Sequence, residues 1–302
     1  EGASWQTLHD FAHPVFTVAI DPNNANRLYA AVVNHTQNAG GLWVSQNINA
    51  GAGSTWTQLT APGRTEGHPH SIVILNDGTL VCTYTGRRNS SGVFTASSGV
   101  FIYNPGLQVW SDKSDVGMFY WTRHLTIDPT DVNQNTWFVS VFSGWGGAPN
   151  GKGGLYKTTD RGNTWTKINN LDRVASCTFN PANQDQVFIT TEGDGLWTST
   201  DIHSANPSFQ QVTSYPFYFP WKVFFNPYNT SEMWVSSFGN GLKKGTLLPT
   251  GIDFKSTTES QFVVYPNPAR VEDHVMGISE EKIIRMELYT LEGRKLLSVI
   301  GN

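Results

Sequence analysis

Charge is scarce in this chain of 302 residues: Asp, Glu, Lys and Arg make up 15% of it, and the formal net charge is −4. No long run of Lys or Arg concentrates what positive charge there is. A weak negative balance gives no general attraction to nucleic acid or anionic lipid, so neither is expected as a partner. No apolar stretch approaches the ~20 residues that a membrane helix needs, and no membrane insertion is expected. The opening "EGASW" has neither the charged region nor the apolar core of a signal peptide, so any such leader is expected upstream or already removed. Cysteine is nearly missing. Cys82 in "LVCTY" and Cys177 in "ASCTF" fall in apparent strands of non-adjacent segments, which suits two buried free thiols better than a disulfide. No cofactor is expected, and the pair His68 and His70 lacks the further ligands a metal site needs.

What is abundant is aromatic and turn-forming. Aromatics reach 13%, with 11 Trp, which is too apolar for a disordered polymer. Gly and Pro separate short runs rich in Thr, Val, Phe, Trp and Tyr, the composition of many strands joined by tight turns. The expected class is all-β.

The runs repeat. "KTTDRGNTWTKI", Lys157 to Ile168, is echoed by "GSTWTQL" (Gly53 to Leu59) and "GASWQTL" (Gly2 to Leu8), and more weakly around Trp110 and Phe209. Trp5, Trp56, Trp110, Trp165 and Phe209 stand 51, 54, 55 and 44 positions apart, so the unit is about fifty residues long. Asp21-Pro22, Asp128-Pro129, Asn180-Pro181 and Asn226-Pro227 each close an apolar alternating run, and Asn76-Asp77-Gly78 fills that place in the remaining unit. A Gly-led strand follows in every unit, at Gly41, Gly99, Gly154, Gly195 and Gly241. Each unit reads as strands A to D with a turn between A and B and a variable loop between B and C. Repeated four-stranded antiparallel sheets of this period describe a β-propeller. Five blades are expected, starting near Val15, Ser71, Thr122, Val174 and Lys222. The last unit shows no clear strand D. Either the N-terminal strand Ser4 to Leu8 completes it, or the five units belong to the C-terminal part of a longer propeller.

"TTDRGNTW", Thr158 to Trp165, resembles the Asp-box of bacterial neuraminidase (BNR) repeats, and the resemblance covers about residues 1–248. Such boxes occur in sialidases, xyloglucanases, sortilin-like receptors and photosystem assembly factors, so the likeness implies a fold more than a function. It implies structural roles for Asp160, Gly162, Thr164 and Trp165, in a turn on the face opposite the usual propeller ligand site. Asp160 is also read as structural from its residue type, as a short acceptor in a tight turn.

After an expected linker at 249–260, residues 261–302 change character. "VYPNPA", Val264 to Ala269, followed by the hairpin "ELYTLEGRKL", is similar to the type A C-terminal sorting domain of the type IX secretion system of Bacteroidota. That resemblance implies a small β-sandwich-like domain, here incomplete, a partnership with the secretion machinery, and an extracellular or outer-surface location.

Propeller ligands usually sit among the loops leading into strand A and joining B to C. Sorting residues by the repeat gathers Glu66, His68, His70, Arg87, Arg88, Tyr120, Trp121, Arg123, His124, Trp145, Arg173, Glu192, Asp194, Trp221 and Lys222 on that face. Flat aromatic rings beside hydrogen-bonding groups suit sugars, so a poly- or oligosaccharide is the expected ligand, held by His70, Arg87, Trp121, Arg123, His124, Trp145, Trp221 and Lys222. A glycosidase needs two carboxylates about 5 to 9.5 Å apart. Glu66, Glu192 and Asp194 are the candidates, with Asp10 and Asp172 in reserve, although spacing singles out no pair. The sialidase signature Phe/Tyr-Arg-Ile-Pro is missing, and sialidase activity is not expected. Two functions stay open: a secreted glycan-acting protein, extending to a hydrolase of plant or algal polysaccharide, and a non-catalytic adhesin or binding scaffold.

Overall fold

An apolar alternating run that stops at Asp or Asn forms the innermost strand of each of five four-stranded antiparallel sheets in the structure, a computed structural model. The structure describes residues 4–34, 40–86, 91, 93–144, 150–248 and 251–253, together with four short strands between 263 and 300. Blade 1 comprises β1 (Val15–Asp21), β2 (Asn24–Val32), β3 (Gly41–Ser45) and β4 (Trp56–Gln58). Blade 2 comprises β5 (Pro69–Ile74), β6 (Leu80–Tyr84), β7 (Gly99–Asn104) and β8 (Val109–Asp112). β9 (Trp121–Ile127), β10 (Trp137–Phe142), β11 (Gly154–Thr158) and β12 (Thr166–Lys167) form blade 3. β13 (Val174–Asn180), β14 (Asn183–Thr191), β15 (Leu196–Ser199) and β16 (Gln210–Gln211) form blade 4. β17 (Pro220–Asn226), β18 (Asn229–Ser237), β19 (Gly241–Leu248) and β20 (Gly251–Asp253) form blade 5. The all-β propeller is therefore the observed fold.

The A to B turns form for a local reason. Asp21, Asp128, Asn180 and Asn226 each accept, through a side-chain oxygen, the backbone N–H two residues on, at 2.8 to 2.9 Å. This Asx arrangement reverses the chain without help from distant contacts.

One expectation fails at the chain's beginning. Residues 4–8 form no strand and Trp5 is 93% exposed, so they do not complete the last blade. The outermost strand of blade 5 is β20, within the segment read as linker, where Leu247 pairs with Ile252 and Leu248 with Gly251. The edge of β19 offers unpaired backbone groups, and the next few residues of the chain are near enough to take them. The N-terminal segment instead lays His9 and Phe11 against Trp43 and Trp56 on blade 1.

The core lies between blades. Tyr29, Ala31 and Leu42 of blade 1 meet Ile72, Cys82 and Phe101 of blade 2. Val81 and Val100 of blade 2 meet Leu125, Trp137 and Val139 of blade 3. Phe138 and Leu155 of blade 3 meet Cys177, Val187 and Ile189 of blade 4. Cys82 and Cys177 are both buried and free. Equivalent inner-strand positions show how far this packing extends: Ile72, Leu125, Cys177 and Val223 are at most 6% exposed, whereas Val18 is 58% exposed. Blade 5 mirrors this, with Phe224 44% and Leu242 56% exposed on the side away from blade 4.

The chain divides into two units, Glu1–Asp253 and Phe254–Asn302. In the second, β21 (Val263–Tyr265) pairs with β22 (Met276–Ile278), and β23 (Arg285–Tyr289) with β24 (Lys295–Ile300), both antiparallel. The Pro-Asn-Pro-Ala segment 266–269 and the turn at 290–294 lie outside the described residues.

Candidate functional site

Four of the inner strands slip register against their neighbours near their beginnings, between Val15 and Thr17, Pro69 and Ser71, Val174 and Ser176, and Pro220 and Lys222. In blade 3 the slip leaves Arg123 and His124 between the paired residues Thr122 and Leu125, opposite the single residue Ser140. A β-bulge of this kind re-aims consecutive side chains that strict alternation would send to opposite faces. The residues so displaced are Phe16 and Thr17, His70 and Ser71, Arg123 and His124, Ala175 and Ser176, Trp221 and Lys222. All of them except Arg123 line one cavity of about 250 Å³, together with Val15. All five blades contribute to this cavity, which marks it as the central channel.

Hydroxyls on second strands hold the bulges in place. Thr83 Oγ1 donates to the Arg123 carbonyl of the next blade at 2.5 Å and accepts the Ser71 N–H at 3.0 Å. Thr190 Oγ1 occupies the equivalent place on β14 and donates to the Trp221 carbonyl at 2.9 Å. Sequence reasoning missed both residues. Superposing the repeats would have found them, since "VCTY" and "FITT" each carry Thr opposite the bulge.

Arg123 is 6% exposed, with its guanidinium carbon 3.9 Å from the Phe142 ring centre, 4.5 Å from Trp221 and 5.9 Å from Trp121. It contacts a ring of blade 5 although blade 4 stands between, and the small Ala175 at the intervening bulge leaves the room. Trp121 stacks on Phe142 at 5.7 Å. Burial lowers the Arg123 pKa to about 9, and the charge of Glu192 opposes that shift. Arg123 thus remains a cation at neutral pH, favoured by the faces of its aromatic neighbours. Glu192 itself pairs with Arg173 at 2.9 Å. Arg173 adopts a left-handed backbone, φ 53°, which is uncommon outside glycine and concentrates at functional loops. Glu192 also lines a smaller cavity of about 110 Å³ with Phe142, Phe219, Trp221 and Phe238.

The channel itself is lined by cationic and neutral groups. Burial pushes the His70 pKa down, and the charges of Arg123, His124 and Lys222 add to the effect. His124 falls to about 3, through burial and then Lys222. Burial lowers Lys222 as well. His124 Nδ1 lies 3.1 Å from the Thr126 hydroxyl, which donates to the Cys177 carbonyl of the next blade at 2.7 Å. Among the described residues no Asp or Glu lines the cavity.

The structure thus gathers His70, His124, Trp221 and Lys222 at the channel, with Arg123 and Trp121 beside it. Of the expected acids, Glu66 stands on a different blade from Glu192 and Asp194, which share the short connection between β14 and β15. Glu66 is in the loop leading into blade 2, 4.0 Å from the buried His68, whereas Glu192 is two blades away with Arg173. Asp194 is exposed in the β14 to β15 turn, where its carbonyl accepts from Trp197 and Gln211 at 2.9 and 2.8 Å. Asp10 accepts the Ala12 N–H at 2.8 Å, and Asp172 accepts those of Asn150 and Gly153 at 2.8 and 2.9 Å. Arg87 and Trp145 lie outside the described residues. Among the described residues no group of three or more His, Cys, Asp or Glu could hold a metal ion.

The Thr158–Trp165 turn sits at the other end of the blades. Arg161, in that turn, reaches Asn135 at 3.0 Å and Asp77 at 2.6 Å, both in A to B turns. Asp160 accepts the Thr164 N–H at 2.9 Å and the hydroxyls of Thr164 and Thr158 at 2.7 Å, which together hold its pKa at about 2. Gly162 has φ 79°, and a Cβ there would lie 3.0 Å from that of Lys113. Trp165 Nε1 donates to the Lys113 carbonyl at 2.6 Å, tying blade 3 to blade 2. Asn47 and Asp201 serve the same purpose in blades 1 and 4, accepting the N–H of Thr55 and of Ser208 at 2.9 Å.

No family model and no curated protein matches the chain. Solved structures do share its fold at low identity. An extracellular domain from B. thetaiotaomicron, described as part of a one-component system, gives a TM-score of 0.55 at 13% identity, over 80% of this chain and 28% of that one. PorZ, described as a surface component of the type IX secretion system of Porphyromonas gingivalis, gives 0.53 at 13%, over 95% and 46%. An ancestral GH74 enzyme gives 0.50 at 17%, over 83% and 39%. The present chain therefore spans less than half the length of each. At these identities the likeness establishes a propeller and nothing finer.

Proposed function

We propose that this chain is a secreted or cell-surface glycan-binding β-propeller whose ligand enters the bulge-lined channel. The observation that carries this reading is the pairing of Trp221 with Lys222 at one bulge, across the same cavity from His70 and His124. An apolar ring face beside hydrogen-bonding groups matches a sugar, which has C–H faces and hydroxyl edges. Binding without turnover fits better than hydrolysis, because Glu192 is tied up by Arg173 and Glu66 stands two blades away beside His68. The surface and extracellular descriptions of two similar folds agree with the proposed location. Among the described residues no helix is long and apolar enough to cross a membrane.

Affinity electrophoresis against a panel of plant and algal polysaccharides tests the proposal. At least one glycan should retard the protein, and Trp221→Ala should weaken that binding at least tenfold. Tyr228→Ala, 97% exposed in an A to B turn, should leave it unchanged. Equal loss in both variants, or no retardation by any glycan, would sink the idea.

A second reading is hydrolysis, favoured by one observation: Glu192 lines a small cavity otherwise made of apolar side chains, among them Trp221. Release of reducing sugar that disappears in Glu192→Gln and Glu66→Gln would establish it. The strands flanking 266–275 and 290–294 are read, further, as the type IX sorting domain, with Thr158–Trp165 as an Asp-box. Fusing residues 254–302 to a reporter in a bacterium with that secretion system should direct export, and retention of the reporter would dismiss this address.

A further inference from the structure

Lys222 raises a question that sugar stacking does not answer. Its side chain is partly buried at the channel, and no ion pair joins it to a described carboxylate. The nearest recorded partner of its ammonium group is the Phe224 ring, 5.6 Å away on its own strand. Drawing a cation out of water costs free energy unless an opposite charge answers it. Among the described residues lining the cavity none does so. The groups facing it are Phe16 and Thr17 from β1, His70 and Ser71 from β5, His124 from β9, and Ser176 from β13. Arg123, a buried cation beside the channel, feels the charge of Glu192, which is itself paired with Arg173.

We propose that the channel is an oxyanion site: it binds a carboxylate or sulfate group carried on a sugar, with Lys222 supplying the counter-charge. The sugar half of this proposal rests on the glycan reading above, while the anion half rests on the channel alone. Ser71 offers a hydroxyl at the same level, and Phe16 and Trp221 offer apolar walls. With their pKa values depressed, both imidazoles are neutral at pH 7. An anion placed beside them would offset the field of Lys222 and Arg123 and raise their proton affinity, so binding should take up protons and tighten as the pH falls.

Calorimetry on the full chain, with oligogalacturonate and its carboxyl-reduced neutral counterpart, and with a sulfated oligosaccharide and its desulfated counterpart, tests this. At least one charged member should bind at least tenfold tighter than its neutral twin, and tighter at pH 5.5 than at pH 8. The preference should shrink as salt rises, because a partly exposed site is screened. Lys222→Met should remove the preference and keep binding of the neutral twin, whereas Lys222→Arg should retain it; thermal melts of both variants establish that they fold. Equal binding of charged and neutral members overturns the oxyanion site and leaves the glycan reading standing. Binding of sodium sulfate or acetate with indifference to every sugar overturns the glycan reading and keeps the oxyanion site. A Lys222→Met protein that folds and still prefers the charged glycan removes Lys222 from the role.

Discussion

At the scale of single residues, the side chains that matter most for the channel are hydroxyls set behind it. Thr83 satisfies the Arg123 carbonyl and the Ser71 N–H at once, and it is fully buried. Replacing it by Val keeps the shape and orphans both backbone groups, so Thr83→Val should cost about 1–3 kcal/mol in denaturant unfolding, with Thr83→Ser close to wild type. Asp160 offers a parallel comparison. Because Asn47 serves the same purpose in blade 1, Asp160→Asn should lower the melting midpoint less than Asp160→Ala. Asp160 was legible because its turn is compact, with the Asp and the Thr it holds four positions apart. Asp201 escaped notice because Ser208 lies seven positions away, although the hydrogen bond is the same.

At the scale of elements, the strands were legible in the sequence and their bulges were not. The expected starts at Ser71 and Lys222 are the residues just past the slip, and the strands begin two positions earlier, at Pro69 and Pro220. A one-residue insertion breaks the apolar alternation, so the residues before it read as loop. Periodicity could therefore place His70 and Trp221 on the correct face but could not show that they share a cavity. It also treats all blades alike, which the packing does not. Leu125 is 2% exposed between blades 2 and 3, and Leu125→Ala should cost about 2–5 kcal/mol in urea unfolding. Val18 holds the equivalent position in blade 1 at 58% exposure, and Val18→Ala should cost less than about 1 kcal/mol.

At the scale of the whole molecule, two sets of histidines should bound the pH range of stability from opposite sides. His203 lies between Asp185 at 2.7 Å and Asp128 at 2.8 Å, joining blade 4 to blade 3. Burial opposes its protonation, but its hydrogen bonds to Asp185 and Asp128 outweigh burial, and its pKa is raised. Its stabilising contribution is complete below the unfolded value of about 6.5 and disappears as the pH climbs through the folded value. His70 and His124 act in the other sense. Their folded pKa values are depressed, chiefly by burial, so the unfolded chain takes up their protons first and stability declines as the pH drops below about 6.5. Melting midpoints followed across pH should therefore decline on both sides of a maximum. His203→Gln should flatten the alkaline limb and His124→Gln the acid one; an unchanged profile in either variant would refute the assignment for that residue.

The ring of bulges has a consequence for how such a molecule can change over generations. Its channel residues sit at positions that the sheets tolerate as interruptions, while the packing between blades is carried by their neighbours two and more places along. Phe16, His70, Ala175 and Trp221 already show that one such place accepts four dissimilar side chains in a single chain. Mutation can therefore rewrite the lining almost letter by letter without a detour through unfolded intermediates, which makes a new binding preference reachable by single steps.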